Sequence, residues 1–207
     1  MDLWGISDRR KRVTDSYYFE ALVAWARDRA ASWAARFCSV SIRRPKPPNP
    51  APIRQLGDPV LRTPAEPVTV FDEALADTIE LMFVSMREAR GVGLAANQIG
   101  LGISLFVMDC EGVVAVVANP RLIELSEDKE VGLEGCLSVL GKHYPTPRSL
   151  RATVEGQDET GATIRVSGEG EVARCLQHET DHLSGRLYLD RLVGDVRRQA
   201  RREVETA

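Results

Sequence analysis

The stretch Gln177-His178-Glu179-Thr180-Asp181-His182 limits what this chain can fold into more than any other, because its chemistry requires a helix. On an α-helix of about 3.6 residues per turn, His178 and His182 lie one turn apart on one face, where both imidazoles can grip one metal ion. Glu179 stands beside that face. In an H-E-x-x-H helix this glutamate takes a proton from water activated by the metal, the logic of metal-dependent amide hydrolysis. The plainer alternative is a pair of histidines on a solvated helix face, but the chain has only three histidines and two of them are here. A catalytic site of this type uses three protein ligands and one open position, so a third ligand must come from elsewhere. Cysteine, glutamate and aspartate are the candidates, and Glu134-Gly135-Cys136-Leu137-Ser138 offers a cysteine beside a glycine, read as a turn.

With 207 residues the chain is long enough for one domain and an appendage. A hydrophobic fraction of 43% and a charged fraction of 28% are those of an ordinary globular protein. The net charge of -3 predicts no bulk attraction to DNA or other nucleic acid. Cys38, Cys110, Cys136 and Cys175 have no short paired spacing, which argues against a zinc ribbon or a secreted disulfide framework and for a reducing cytoplasm. No apolar run approaches the length of about 18 residues expected of a membrane helix.

Residues 1–50 read differently from residues 51–207. Arg9-Arg10-Lys11-Arg12 is followed by apolar residues at helical spacing from Tyr17 to Phe37, which predicts an amphipathic helix. Pro45, Pro47, Pro48, Pro50 and Pro52 then predict an extended linker, with a boundary near Ala51. Charges at Glu20, Arg27, Asp28 and Arg29 count against a signal peptide, and five acidic residues count against an organelle transit segment. A start assigned too far upstream is the plain alternative. The role of this extension is not legible.

Leu75, Ile79, Met82 and Met86 predict a helix over 72–90 that stops at Gly91. Ser104–Met108 and Val113–Val117 predict an antiparallel pair around Glu111-Gly112, with further strands at 122–125, 152–155 and 163–166. The motif helix is expected over 171–183 and a last helix over 195–205. Strands grouped ahead of a helix, without regular alternation, indicate an α+β fold.

Gly91-Val92-Gly93-Leu94-Ala95-Ala96-Asn97-Gln98, Glu134-Gly135-Cys136-Leu137-Ser138 and His178-Glu179-Thr180-Asp181-His182 together have the forms G-x-G-x-A-A-x-Q, E-G-C-x-S and H-E-x-D-H. In this order they resemble the three signatures of the peptide deformylase family, over about Pro52 to Arg198. The resemblance implies small mixed or antiparallel sheets packed around a central metal-binding helix. It implies Cys136, His178 and His182 as metal ligands and Glu179 as general acid and base. Gln98, through its side-chain amide, and Leu137, through its backbone N–H, would form the oxyanion hole. Gly91, Val92 and Gly93 would pair with the bound peptide strand to strand. The implied reaction removes the formyl group from the N-formylmethionine of new polypeptides and releases formate. The implied cofactor is one divalent ion, Fe2+, for which Zn2+ or Ni2+ can substitute. A thiolate ligand makes such a site sensitive to oxygen and peroxide.

The residues also carry plainer assignments. Cys110 and Cys175 read as small buried hydrophobes, Cys175 packing against the pocket. Asp181 reads as a residue that orients the site or caps the surface, and His143 as a surface or rim residue. The chain departs from the usual family text at Leu140, Asn97 and Ser184, none of which is an expected ligand or donor. Two other readings compete: a different small amidohydrolase or zincin-like peptidase, and a non-catalytic paralogue that docks on ribosomes through Arg197, Arg198, Arg201 and Arg202. Contact of this basic helix with the ribosomal exit region is also compatible with the enzyme reading.

Overall fold

In the computed structural model, which describes residues 47–205, three helices and seven strands follow one another from α1 (Glu73–Glu88). Strands β1 (Gly93–Ala95), β2 (Leu105–Cys110), β3 (Val113–Leu125), β4 (Lys129–Cys136), β5 (Val139–Ser149), β6 (Arg151–Gln157) and β7 (Thr163–Glu169) come next. Helices α2 (Gly170–Leu183) and α3 (Gly194–Glu205) close the chain. The described residues belong to one compact unit. The helix expected over 17–37 lies outside them.

Five strands form one sheet in the order β1-β2-β3-β6-β7, while β4 and β5 form a separate hairpin; every ladder is antiparallel. The helix α1 starts where Asp72 accepts the Leu75 N–H at 3.0 Å, and it ends before Arg90 and Gly91. Its stripe of Leu75, Ile79, Met82 and Met86 is buried. Each such side chain contributes on the order of 1.5–3 kcal/mol by leaving water. The stripe packs with Leu105 and Val107 of β2. Phe106 and Met108, the alternate residues of β2, instead meet Val172, Cys175 and Leu176 of α2. One strand thus feeds two core clusters, and its sequence is apolar without alternation for that reason.

The architecture is the α+β arrangement expected, with antiparallel sheets around the helix that bears His178 and His182. Two differences concern strands. The pieces expected at 113–117 and 122–125 are one strand, β3, with register shifts between Ala118 and Arg121. Asn119 makes this bulge, adopting a φ of 51° while its side chain bonds both backbone groups of Val68 and the Gln157 oxygen. No sequence pattern predicts the hairpin β4–β5, and Cys136 is the last residue of β4 rather than part of a turn. The turn itself is only Leu137-Ser138.

Candidate active site

Helix α2 is buried along most of its length, so its polar residues must find partners inside the protein. His178 and His182 lie on its inner face with their Nε2 atoms 3.2 Å apart. Cys136 arrives from the end of β4 and puts its Sγ 3.2 Å from His182 Nε2. The three side chains offer one donor atom each, all within 4.8 Å of one another and all buried.

His178 is oriented by Glu134, whose Oε1 lies 2.6 Å from His178 Nδ1. That contact leaves His178 Nε2 facing the other donors. Burial alone would push the Glu134 carboxyl up, but hydrogen bonds from Arg148 and His178 hold it well below the usual carboxylate range. Arg174 adds a bond to Glu134 Oε2 at 3.0 Å and another to the Thr146 carbonyl. Its guanidinium has room because residue 132 is glycine; a Cβ there would lie 2.4 Å from an Arg174 nitrogen. Asp181, the remaining acid of the motif, accepts from Arg148 at 2.6 Å and Arg191 at 2.9 Å. His182 is fixed differently: Asn97 donates to its backbone carbonyl at 2.6 Å. Of the three departures from the family text, Asn97 therefore ties the glycine-rich segment to α2. Leu140 is exposed, and Ser184 only ends the helix.

Around the donor set stand the other expected residues. Gln98 accepts from the Ala95 N–H through Oε1 at 2.9 Å, which turns its Nε2 toward Ser138 Oγ at 3.2 Å and Cys136 Sγ at 3.6 Å. Leu137 follows Cys136 directly, and its side chain touches Gly91: a Cβ on Gly91 would lie 2.7 Å from Leu137 Cδ1. A Cβ on Gly93 would lie 2.4 Å from Glu179 Oε1 and 2.8 Å from Cys175 Sγ. Val92, between them, offers its carbonyl to the Asp109 N–H at 2.8 Å. The segment 91–93 thus runs from Leu137 to Glu179 into β1, the edge strand of the large sheet.

Glu179 is buried, and its Oε2 has no hydrogen-bond partner among the described residues. Burial raises its pKa to about 7, opposed by His178 and reinforced by the charge of Glu134. The histidines, Cys136 and this orphaned oxygen fit a metal with an attached water. Ligands at about 2.0–2.1 Å for nitrogen and 2.3 Å for sulfur around one tetrahedral ion would stand about 3.3–3.6 Å apart, and the two spacings that involve His182, 3.2 Å each, lie close to that. Burial lowers the pKa of His182, which favours the neutral form a metal requires. His178 is held the other way: against burial, its contacts with Cys136 and Glu134 raise its pKa, so a cation at this site takes the place of a proton on His178.

Antiparallel sheets around a buried helix, with a Cys-His-His donor set beside a glutamate that keeps one oxygen unpartnered among the described residues, define a metal-dependent hydrolase of the H-E-x-x-H class. Comparison with known proteins narrows the class. The profile of the polypeptide deformylase family matches residues 50–198, and the chain belongs to that family. It is 50% identical over 156 residues to a peptide deformylase of Acidothermus cellulolyticus, covering 75% of this chain and 86% of that protein. A peptide deformylase of Mycolicibacterium paratuberculosis is 47% identical over 173 residues, covering 75% and 87%. The crystal structure of a peptide deformylase from Legionella pneumophila superposes with a TM-score of 0.71 at 40% identity, covering 76% of this chain and 95% of that one. That from Thermotoga maritima gives 0.69 at 44% identity, covering 71% and 100%.

The structure brings Gly91, Gly93, Gln98, Cys136, Leu137, His178, Glu179 and His182 into one neighbourhood. Cys110 and Cys175 are buried, as read from the sequence; His143, read as a surface or rim residue, is half-buried on β5 with its Nε2 covered, and Cys38 lies outside the described residues. Sequence reasoning gave Glu134, Arg148 and Arg174 no role. Arg174 carried a usable signal, since it precedes His178 by four residues and so shares its helix face.

Proposed function

We infer that this chain is a metal-dependent enzyme that removes the formyl group from the N-terminal N-formylmethionine of nascent polypeptides and releases formate. The observation that carries the reading is the convergence of the three signature segments on one buried donor set next to Glu179. We propose Cys136, His178 and His182 as the ligands of one divalent ion. When bound, that ion supplies Lewis acidity and lowers the pKa of water toward about 7. The rest is the work of the chain. Glu179 takes the water proton on its carboxylate and passes it to the leaving amine; burial brings this group near the pKa such a shuttle needs. Gln98 Nε2 and the Leu137 backbone N–H donate to the formyl oxygen as negative charge grows on it, each such donor contributing about 2.7–4 kcal/mol. Gly91, Val92 and Gly93, leading into the edge strand β1, align the peptide by backbone pairing and leave its first side chain to a pocket.

Fe2+ is the proposed metal on the strength of the family resemblance; the mixed thiolate and imidazole set is compatible with it and equally with zinc or nickel. Arg197, Arg198, Arg201 and Arg202 are exposed on α3 and supply a basic face for the ribosomal exit region. Work on nascent chains would place the protein in the cytoplasm. No helix among the described residues is long and apolar enough to cross a membrane. Two measurements test these statements. Anaerobically purified protein should contain one iron per chain and release formate from a formylmethionyl peptide; zinc alone in freshly isolated protein would remove iron. Co-sedimentation with ribosomes should weaken when the four arginines are replaced by glutamate, and unchanged binding would remove the basic face.

A further inference from the structure

A buried ionic cluster lies behind the donor set, made of Glu134, Arg148, Arg174, Asp181 and partly exposed Arg191. Burying charges is a poor route to stability, because desolvation offsets their attraction. Its geometry suits another use. Arg148 is 4% exposed and is the member that touches both carboxylates. Its Nε and Nη2 donate to the two oxygens of Glu134 at 3.0 and 2.6 Å, and its Nη1 donates to Asp181 Oδ2 at 2.6 Å. Glu134 lies two residues before Cys136 on β4. Asp181 directly precedes His182 on α2, and Arg148 itself stands on β5 opposite Glu130.

One planar guanidinium therefore spans the strand that presents the sulfur and the helix that presents the nitrogens. The hairpin shares no ladder with the large sheet. At its far end it is joined to α2 by the Gly170 N–H on the Leu150 carbonyl and by the Gln177 amide on both backbone groups of Ser149, while side chains alone join the two beside the donor set. Arg174, one turn before His178 on α2, also joins helix to hairpin through Glu134 and the Thr146 carbonyl, while Arg191 reaches Asp181. Neither bridges the two carboxylates.

We propose that Arg148 is a positioning residue that sets the separation of the Cys136 sulfur from the His178 and His182 nitrogens, acting through Glu134 on one side and Asp181 on the other. The inference rests on the reading of those three residues as metal ligands. Lysine at position 148 keeps a buried cation but cannot hold both carboxylates in a planar fork. Asp181→Asn keeps the Glu134 arm and weakens the helix arm. Both substitutions should loosen the donor set without touching it.

The test uses the full-length chain loaded with cobalt(II), whose visible absorption reports donor geometry, with a chelator in competition. Arg148→Lys and Asp181→Asn should each hold cobalt about ten- to a hundredfold less tightly, the effect typical of residues that orient metal ligands. Their cobalt bands should shift, and kcat should fall while KM for a formylmethionyl peptide holds. Arg191→Gln, which leaves the Arg148 bridge in place, should keep the native spectrum. Native affinity and spectrum in both folded variants overturn the proposal, and if Arg148→Lys does not fold, Asp181→Asn alone decides. Cys136→Ala separates this failure from failure of the ligand reading: cobalt retained at native affinity there removes the ligands themselves.

Discussion

Gly93 fixes how closely β1 can approach the carboxylate of Glu179. With a Cβ at that position only 2.4 Å from Glu179 Oε1 and 2.8 Å from Cys175 Sγ, something buried has to move. The Glu179 carboxylate is the nearer of the two groups and the end of a flexible side chain, so it is the one displaced. Gly93→Ala should therefore reduce turnover by about a hundredfold, the scale of a displacement near 1 Å at a reacting centre. Metal content should stay normal, since none of the three donors is touched. Measuring both on the same sample checks this, and full turnover would mean that Glu179 is not held where the mechanism needs it. At this scale the sequence was most informative where residues sit inside a local pattern. The histidine spacing and the Cys136 segment identify themselves. Glu134, Arg148 and Arg174 do not, because arginines in a sequence read as solvated surface, and only the fold reveals that these two are buried against one carboxylate.

Among the elements, helices were legible and one hairpin was not. The stripe of α1 repeats at helical spacing over 16 residues, a signal that survives any tertiary context. In contrast, β4 and β5 contain Gly132, Gly135, Gly141, Pro145 and Pro147, residues that normally end strands. They are tolerated because Gly132 yields space to Arg174 and the prolines sit in a two-stranded ribbon. The helix α3 is tied to this hairpin through Glu203, which accepts from Tyr144 at 2.8 Å and Lys142 at 3.4 Å and is steadied within the helix by Gln199 at 2.8 Å. Hydrogen bonds from Gln199 and Tyr144 lower the Glu203 pKa, so its contribution is present above about pH 4.5 and is lost as pH falls through the lower folded value. Burial and Glu203 push Tyr144 up to about 12, so its contribution is complete below pH 10.0 and is lost as pH rises toward 12. The tie holds throughout the neutral range. Glu203→Gln should move one tyrosine in a phenolate absorbance titration from about 12 toward 10 and speed amide exchange over residues 194–205. Superimposable titration curves would show that Glu203 does not govern Tyr144.

For the molecule as a whole, the question is where the catalytic unit begins. The Ala51 N–H bonds to Ser85 Oγ at 2.9 Å, Ile53 packs on the cluster around α1, and the Arg54 N–H bonds to the Gln98 carbonyl at 2.7 Å. The chain is therefore engaged in the core from Ala51 onward, and residues 47–50 have no regular secondary structure. We propose that residues 1–50 form an appendage to a catalytic domain spanning 51–207. Deleting them should leave a folded protein with most of its deformylase turnover. Aggregation, or loss of most of that turnover, would show that the extension belongs to the core. The composition change at the proline-rich stretch was legible, whereas the bonds that anchor Ala51 and Arg54 depend on residues 34 and 44 positions away and have no local signature.

The account turns on Glu179 moving a proton while Cys136, His178 and His182 hold the metal. Glu179 is one residue from His178, about 100° around the helix, so it can be removed without removing a donor. The decisive measurement is formate release from a formylmethionyl peptide by Glu179→Ala, with metal content and peptide affinity determined on the same preparation. Turnover should fall by about a hundred- to ten-thousand-fold, the contribution of a positioned acid and base. Metal content and peptide affinity should remain close to those of the unmodified protein. Near-normal turnover would contradict the mechanism, and loss of the metal would make Glu179 a ligand instead of the proton carrier.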